Sequence, residues 1–234
     1  MDFAFPPHAI AALPIVGSAS SFPVRRVYCV GRNYAAHARE MGSDPTREPP
    51  FFFCKPGDAD AVIAVPPGQT VEIDYPPATH ELHHEVELVV AIGRAGRDIA
   101  ADRAAAHVFG YAVGLDLTRR DLQAQMKAQS RPWEIGKAFD QSAPVGALRR
   151  AADAGSLAAG AIRLEIDGEV RQQGRIDQMI WSVDEIIAKL STLFVLQPGD
   201  LIFTGTPDGV GPVERGQTLV GRIDGLEALQ VRVR

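Results

Sequence analysis

Two carboxylates one residue apart stand inside an otherwise apolar run, Leu82-His83-His84-Glu85-Val86-Glu87-Leu88-Val89-Val90-Ala91-Ile92. The length and β-branched content of this run fit a strand better than a helix. Side chains alternate along a strand, so Glu85 and Glu87 leave one face about 7 Å apart while Val86, Leu88 and Val90 leave the other. Two like charges on one face of a buried strand repel each other and resist desolvation. A divalent cation between them removes both costs. A wet edge strand would account for a bare Glu-x-Glu, but Val89 follows on the carboxylate face, so that face does not stay polar. The pair reads as part of a metal site.

Asp116 ends a second apolar run in Gly114-Leu115-Asp116-Leu117-Thr118. With Glu85 and Glu87 it would complete an all-oxygen site of the kind that selects Mg²⁺, Mn²⁺ or Ca²⁺. An aspartate at such a place caps a turn or helix as readily as it binds metal. His83 and His84 keep zinc in view, although a histidine beside a ligand more often packs or orients than coordinates. His37 and Glu40 are spaced i, i+3, which on a helix puts them on one face and lets the carboxylate raise the basicity of the imidazole, as activation of water requires. The same spacing also decorates many surface helices. Lys137, in Glu134-Ile135-Gly136-Lys137-Ala138-Phe139, is a single cation among apolar neighbours, suited to a developing oxyanion or to snorkelling at a surface. Arg32 after Gly31 and Lys55 before Pro56 are similar cases. The glycine-rich stretch from Thr204 to Gly211 lacks the Gly-Lys-Ser/Thr ending of a phosphate loop. Its amides and the Thr206 hydroxyl suit a carboxylate, or a tight turn.

These residues need elements to hold them. Residues 1–22, rich in Pro, Ala and Ser, read as an N-terminal arm, followed by a single catalytic domain over 23–234. Strands are expected over 24–30, 51–54, 108–115 and 201–204, with more over 217–233. Asp167-Gly168 between alternating apolar residues predicts a type I′ hairpin over 162–170. Asn33 is placed to cap a short helix over 34–41, closed by Gly42. A helix is expected over 119–128. Ser182 and Glu185 form a capping box for a helix over 182–196, with Ile186, Ile187, Leu190, Leu193 and Phe194 as its apolar stripe. Many short strands and few helices point to a mainly β architecture, sandwich or barrel-like.

The 234 residues are 46% hydrophobic and 23% charged, ordinary for a globular chain, and the net charge of −5 gives no electrostatic case for nucleic acid. No segment reads as a signal peptide or membrane span, so a cytoplasmic enzyme is expected. Cys29 and Cys54, both in apolar surroundings, read as reduced, packed thiols.

Taken together, Gly31-Arg32-Asn33-Tyr34 with His37 and Glu40, Phe53-Cys54-Lys55-Pro56, His84-Glu85-Val86-Glu87-Leu88, the segment 116–121, Lys137-Ala138-Phe139 and the loop 199–211 resemble the fumarylacetoacetate hydrolase family. The stretches Tyr75 to His80 and Arg131 to Lys137 are nearest to its fumarylpyruvate-cleaving branch in gentisate breakdown. The resemblance implies a mixed β-sandwich roll, a homodimer, and Mg²⁺ or Mn²⁺ on Glu85, Glu87 and Asp116. It places His37 and Glu40 on a lid, Lys137 inside the site, and Arg32, Lys55, Arg120, Gln123 and Thr206 around a small dioxo-acid substrate. The implied reaction is hydrolysis of the C–C bond of a 2,4-dioxo acid. His37 would act as base, and Lys137 with Gln123 would stabilise the oxyanion. Oxaloacetate decarboxylation, or isomerase or hydratase chemistry on related oxo acids, is the alternative within the family. A fold that keeps the metal but has lost chemistry is the alternative outside it.

Overall fold

The computed structural model describes residues 2–35 and 48–234. Its centre is a mixed eight-stranded sheet. Along it run β4 (Phe51–Lys55), β3 (Arg26–Gly31), β15 (Asp200–Phe203), β8 (Val86–Ile92), β9 (Val108–Leu115), β11 (Ala143–Gly146) and β5 (Val62–Val65), with β12 (Arg149–Arg150) attached to β9. A five-stranded sheet runs β14 (Glu169–Arg175), β13 (Ala161–Ile166), β17 (Thr218–Ile223), β18 (Leu229–Val233) and β6 (Thr70–Ile73). A three-stranded ribbon joins β10 (Thr118–Arg119), β7 (Leu82–His84) and β16 (Gly211–Pro212). The helices that matter to the site are α1 (Arg120–Ala128) and α2 (Glu134–Lys137). Beyond α3 (Ala151–Ala154) comes α4 (Val183–Leu193). The protein is mainly β, with the five-stranded sheet stacked on the large one.

Alternation along β8 decides what packs where. Val86 and Leu88 point into a core shared with Ile162, Leu164, Leu219 and Val231 of the smaller sheet. Further along that face, Val90 and Ile92 lie under α4 against Ile186, Ile187 and Leu190. Val89 and Ala91 point the other way, into a core with Leu13, Phe22, Val27 and Phe203. Glu87 shares that second face by parity, as the sequence pattern requires.

The capping box of α4 forms as expected, with Glu185 N donating to Ser182 Oγ and Ser182 N to the Glu185 carboxylate. The hairpin turn is also present, with Asp167 and Gly168 both at positive φ. Several expectations need correction. The first strand is not at residue 24: β1 (Ala12–Pro14) and β2 (Ser21–Pro23) pair within the stretch read as an arm, and bury Leu13 and Phe22. The apolar run at 82–92 is two strands rather than one, interrupted at Glu85. Helix α4 stops at Leu193, where the chain turns extended at Phe194, so Leu193 and Phe194 are exposed rather than in the apolar stripe. Cys54 is exposed, because β4 is the edge of the large sheet; Cys29, further in, is buried. The helix expected over 34–41 falls almost wholly outside the described residues.

Candidate metal centre and active site

Strand register brings the acids together. Val86 pairs with Leu115 and Glu87 with Gly114, and Asp116 N donates to Glu85 O at 2.9 Å, which continues the ladder one step. Asp116 therefore lies opposite Glu85 and diagonal to Glu87, the positions at which cross-strand side chains meet. All three are buried, and each offers a carboxylate oxygen within 4.8 Å of the others.

Three cations converge on this cluster. Lys137, at the end of α2, donates from Nζ to Glu85 Oε2 and to Asp116 Oδ2, both at 2.8 Å. Burial opposes its charge, but Asp116 and Glu85 outweigh that cost and hold its pKa above 10.5. Arg120 pairs with Glu85 Oε1 and also donates to Gln123 Oε1. Lys55 meets Asp116 Oδ1 at 2.8 Å and donates to the carbonyls of Leu117 and Lys137. Glu87 is different. It accepts from Gly205 N at 2.8 Å, and among the described residues no basic side chain pairs with it. Burial, then Asp116 and Glu85, push its pKa well above the ordinary 4.5. A buried anion whose charge is so disfavoured fits a divalent cation, and the all-carboxylate donor set is the hard one that Mg²⁺, Mn²⁺ and Ca²⁺ prefer.

The loop after β15 fixes Glu87. Past Phe203, Thr204 donates from N and Oγ1 to Leu88 O, Gly205 N reaches Glu87, and Thr206 Oγ1 donates to Val86 O at 2.8 Å. The departing strand thus keeps bonding β8 after regular pairing ends. Gly205 sits at φ +98° and a Cβ there would come 2.7 Å from Asn33 Cβ, so only glycine fits. Asn33 itself spans Thr204 O and the backbone of Trp181.

Gln172 of β14 is the partner that sequence reasoning missed. Its Oε1 accepts from Val86 N at 3.1 Å and from His84 Nδ1 at 2.9 Å, and its Nε2 donates to Thr206 Oγ1 and Pro207 O, both at 2.8 Å. Burial lowers the His84 pKa from its ordinary value, and likewise lowers the His83 pKa to about 4, with Arg120 adding to the effect. Neither histidine joins the carboxylate cluster. His83 Nδ1 accepts from Arg120, and His84 orients through Gln172.

A cavity opens over the cluster. Its floor is Glu85, Glu87, Asp116 and Lys137; its walls include Phe53, Gly205 and Thr206; and Arg32, Arg120 and Gln123 also border it. Lys55 does not, because its ammonium is spent beneath Asp116. The structure places it against Asp116 and the carbonyl of Lys137. Lys127 and Trp133 line the cavity too. The i, i+3, i+7 spacing of Arg120, Gln123 and Lys127 was the available signal for Lys127. His37 and Glu40 lie outside the described residues.

Residues 26–234 match the family described as Fumarylacetoacetate (FAA) hydrolase C-terminal. The chain belongs to the fumarylacetoacetate hydrolase family. A fumarylpyruvate hydrolase from Pseudomonas aeruginosa, solved with Mn²⁺ and pyruvate, is 60% identical with a TM-score of 0.96, the match covering 99% of each chain. The fumarylpyruvate hydrolase of a Ralstonia species is 42% identical over 190 residues, 81% of this chain and 95% of that protein. An oxaloacetate tautomerase of Escherichia coli K12 is 41% identical over 218 residues, 93% of this chain and 96% of the relative.

Proposed function

We propose that this family member hydrolyses the C3–C4 bond of a 2,4-dioxo acid, with fumarylpyruvate and water giving fumarate and pyruvate, at a site loaded with Mg²⁺ or Mn²⁺. The observation that carries this is the buried Glu85–Glu87–Asp116 cluster with Lys137 against it, in a chain 60% identical to a fumarylpyruvate hydrolase solved with Mn²⁺ and pyruvate. A divalent ion held by the three carboxylates supplies Lewis acidity to the oxo-acid end of the substrate.

The protein's own groups do the rest. Arg120 and Gln123 border the cavity beside Glu85 and hold the substrate carboxylate. Two of the three ammonium donors of Lys137 are used on Glu85 and Asp116, which leaves the third for the oxygen of the C4 carbonyl. His37, oriented by Glu40 as the family resemblance implies, would take a proton from water as the hydroxyl oxygen bonds to C4. Lys137 stabilises the resulting oxyanion. When the C3–C4 bond breaks, its electron pair leaves with C3 as the enolate of pyruvate, which is then protonated, and C4 departs as the new carboxylate of fumarate. Phe53 and Trp133 wall the cavity with apolar surface that limits bulk water.

The same reading carries a cytoplasmic homodimer working in aromatic-ring catabolism. The exposed Leu193, Phe194 and Val195 offer an apolar patch suited to a second copy.

The test is pyruvate and fumarate release from fumarylpyruvate by protein stripped of metal, before and after Mn²⁺ or Mg²⁺ is restored. Equal amounts of both products, only with metal, are expected. Metal-dependent pyruvate from oxaloacetate, with fumarylpyruvate left intact, would replace the hydrolase by the oxo-acid chemistry for which the Escherichia coli relative is named.

A further inference from the structure

Helix α1 presents Arg120, Gln123 and Lys127 to the cavity, the spacing of one helical face. Arg120 is anchored on Glu85 and Gln123 is buried, whereas Lys127 is exposed. Positions three and seven residues beyond Arg120 rise about 4.5 and 10.5 Å along the axis. Helix α1 therefore works as a ruler from the carboxylate cluster to the mouth of the cavity. Around that mouth stand Arg32 and Trp133, both half-buried. Trp133 meets Phe51 edge-on with ring centres 5.3 Å apart, and the Arg32 guanidinium carbon lies 5.7 Å from the centre of the same ring. Arg32 is held at φ +58°, a left-handed conformation that a non-glycine residue keeps where its surroundings impose it.

A substrate with its oxo-acid end at the cluster extends its acyl chain past the other residues that line the cavity, among them Gln123 and Lys127 of α1. The two end carboxylates of extended fumarylpyruvate are about 7–8 Å apart, from six carbon–carbon bonds of about 1.5 Å each. The Lys127 Cα lies further out than that, but helical side chains lean back toward the N-terminus, which brings its ammonium over the required distance.

We propose that Lys127, together with Arg32, seats a second carboxylate at the far end of the acyl group, so that this chain selects acylpyruvates whose acyl group ends in a carboxylate. The proposal rests on the acylpyruvate reading above and adds a specificity site to it.

Two measurements test it on Mn²⁺-loaded wild type, Lys127→Met and Lys127→Arg. The first is kcat/KM for fumarylpyruvate against acetylpyruvate, which lacks the distal carboxylate. The second is calorimetric binding of fumarate against crotonate, which differ only in that carboxylate. Lys127→Met should lower the preference for fumarylpyruvate roughly five- to tenfold, mainly through KM, and Lys127→Arg should restore most of it. Fumarate should bind wild type more tightly than crotonate, and Lys127→Met should narrow that gap. An unchanged preference in Lys127→Met overturns the seat and leaves acylpyruvate hydrolysis standing. Equal fumarate and crotonate affinity in wild type also overturns it. A wild type that cleaves neither acylpyruvate overturns the parent reading instead.

Discussion

Replacing Glu87 by glutamine keeps the shape of the side chain and removes only its charge, so the effect on stability should change sign with metal. In metal-free protein, Glu87 faces Asp116 and Glu85 with ligand oxygens within 4.8 Å. At that separation and an effective dielectric of 20, each like-charge pair costs about 3.5 kcal/mol. Lys137, shared between Glu85 and Asp116, offsets roughly one of the two pairs. The wild type sheds part of the remainder by keeping a proton on Glu87, whose pKa burial and those neighbours raise well above 4.5. That leaves about 1–3 kcal/mol for Glu87→Gln to recover at pH 8, and a melting temperature higher by roughly 2–10 °C in a chain of this size. Because the native metal-free wild type binds a proton that the unfolded chain releases, its stability falls as pH rises from 4.5 toward the raised value. Glutamine has no such dependence, so the gap between the two proteins should widen from pH 5 to pH 8. With Mn²⁺ at a hundred times its Kd, the wild type should gain about 2.7 kcal/mol. The variant, short of one anionic ligand, should gain little. Thermal melts of chelator-treated protein at both pH values, with and without Mn²⁺, read all of this. A variant that melts below wild type without metal at pH 8, or that keeps the full Mn²⁺ shift, would refute the reasoning.

Two other substitutions probe the same centre. Lys137→Met removes the cation shared by Glu85 and Asp116, so Mn²⁺ should bind at least as tightly while kcat falls about 10²- to 10³-fold; titration of Mn²⁺ beside steady-state kinetics decides, and lost Mn²⁺ binding would make Lys137 a structural group. Gln172→Leu leaves Val86 N–H and His84 Nδ1–H without their acceptor, at about 1–3 kcal/mol each. Urea unfolding should show a loss of about 2–5 kcal/mol, with weaker Mn²⁺ binding by the loosened Glu85–Glu87 segment, and an unchanged midpoint would contradict the role given to Gln172.

What could be read from the sequence was whatever a short period or a local motif encodes. Alternation placed Glu87 with Val89 on one face of β8 and Leu88 on the other, because the strand period of two leaves no freedom once one face is buried. The capping box and the Asp167-Gly168 turn were legible for the same reason, since each is closed by residues no more than three positions apart. Composition misled where burial depends on a neighbour. Phe51 to Cys54 reads as interior, yet β4 is the edge of its sheet and leaves Cys54 exposed. The Pro- and Ala-rich start reads as an arm, yet Leu13 and Phe22 have a core to enter.

The site itself divides along the same line. Glu85 and Glu87 announce themselves by adjacency, whereas Asp116 becomes their neighbour only through the β8–β9 register, which no local spacing states. Lys55 and Gln172 lie further from reach. An isolated lysine before proline looks like a hand held out to substrate, and only the fold shows it turned beneath Asp116 to the carbonyls of Leu117 and Lys137. Gln172 sits in a hairpin of the other sheet, with nothing in its surroundings of polar and charged residues to mark it. Its amide replaces the strand neighbour that β8 loses once β15 peels away after Phe203, accepting from Val86 N while Thr206 Oγ1 donates to Val86 O. A strand that must release one neighbour to open a cavity needs its freed backbone groups satisfied from somewhere. Here the side chain that does so lies 86 positions away in the chain.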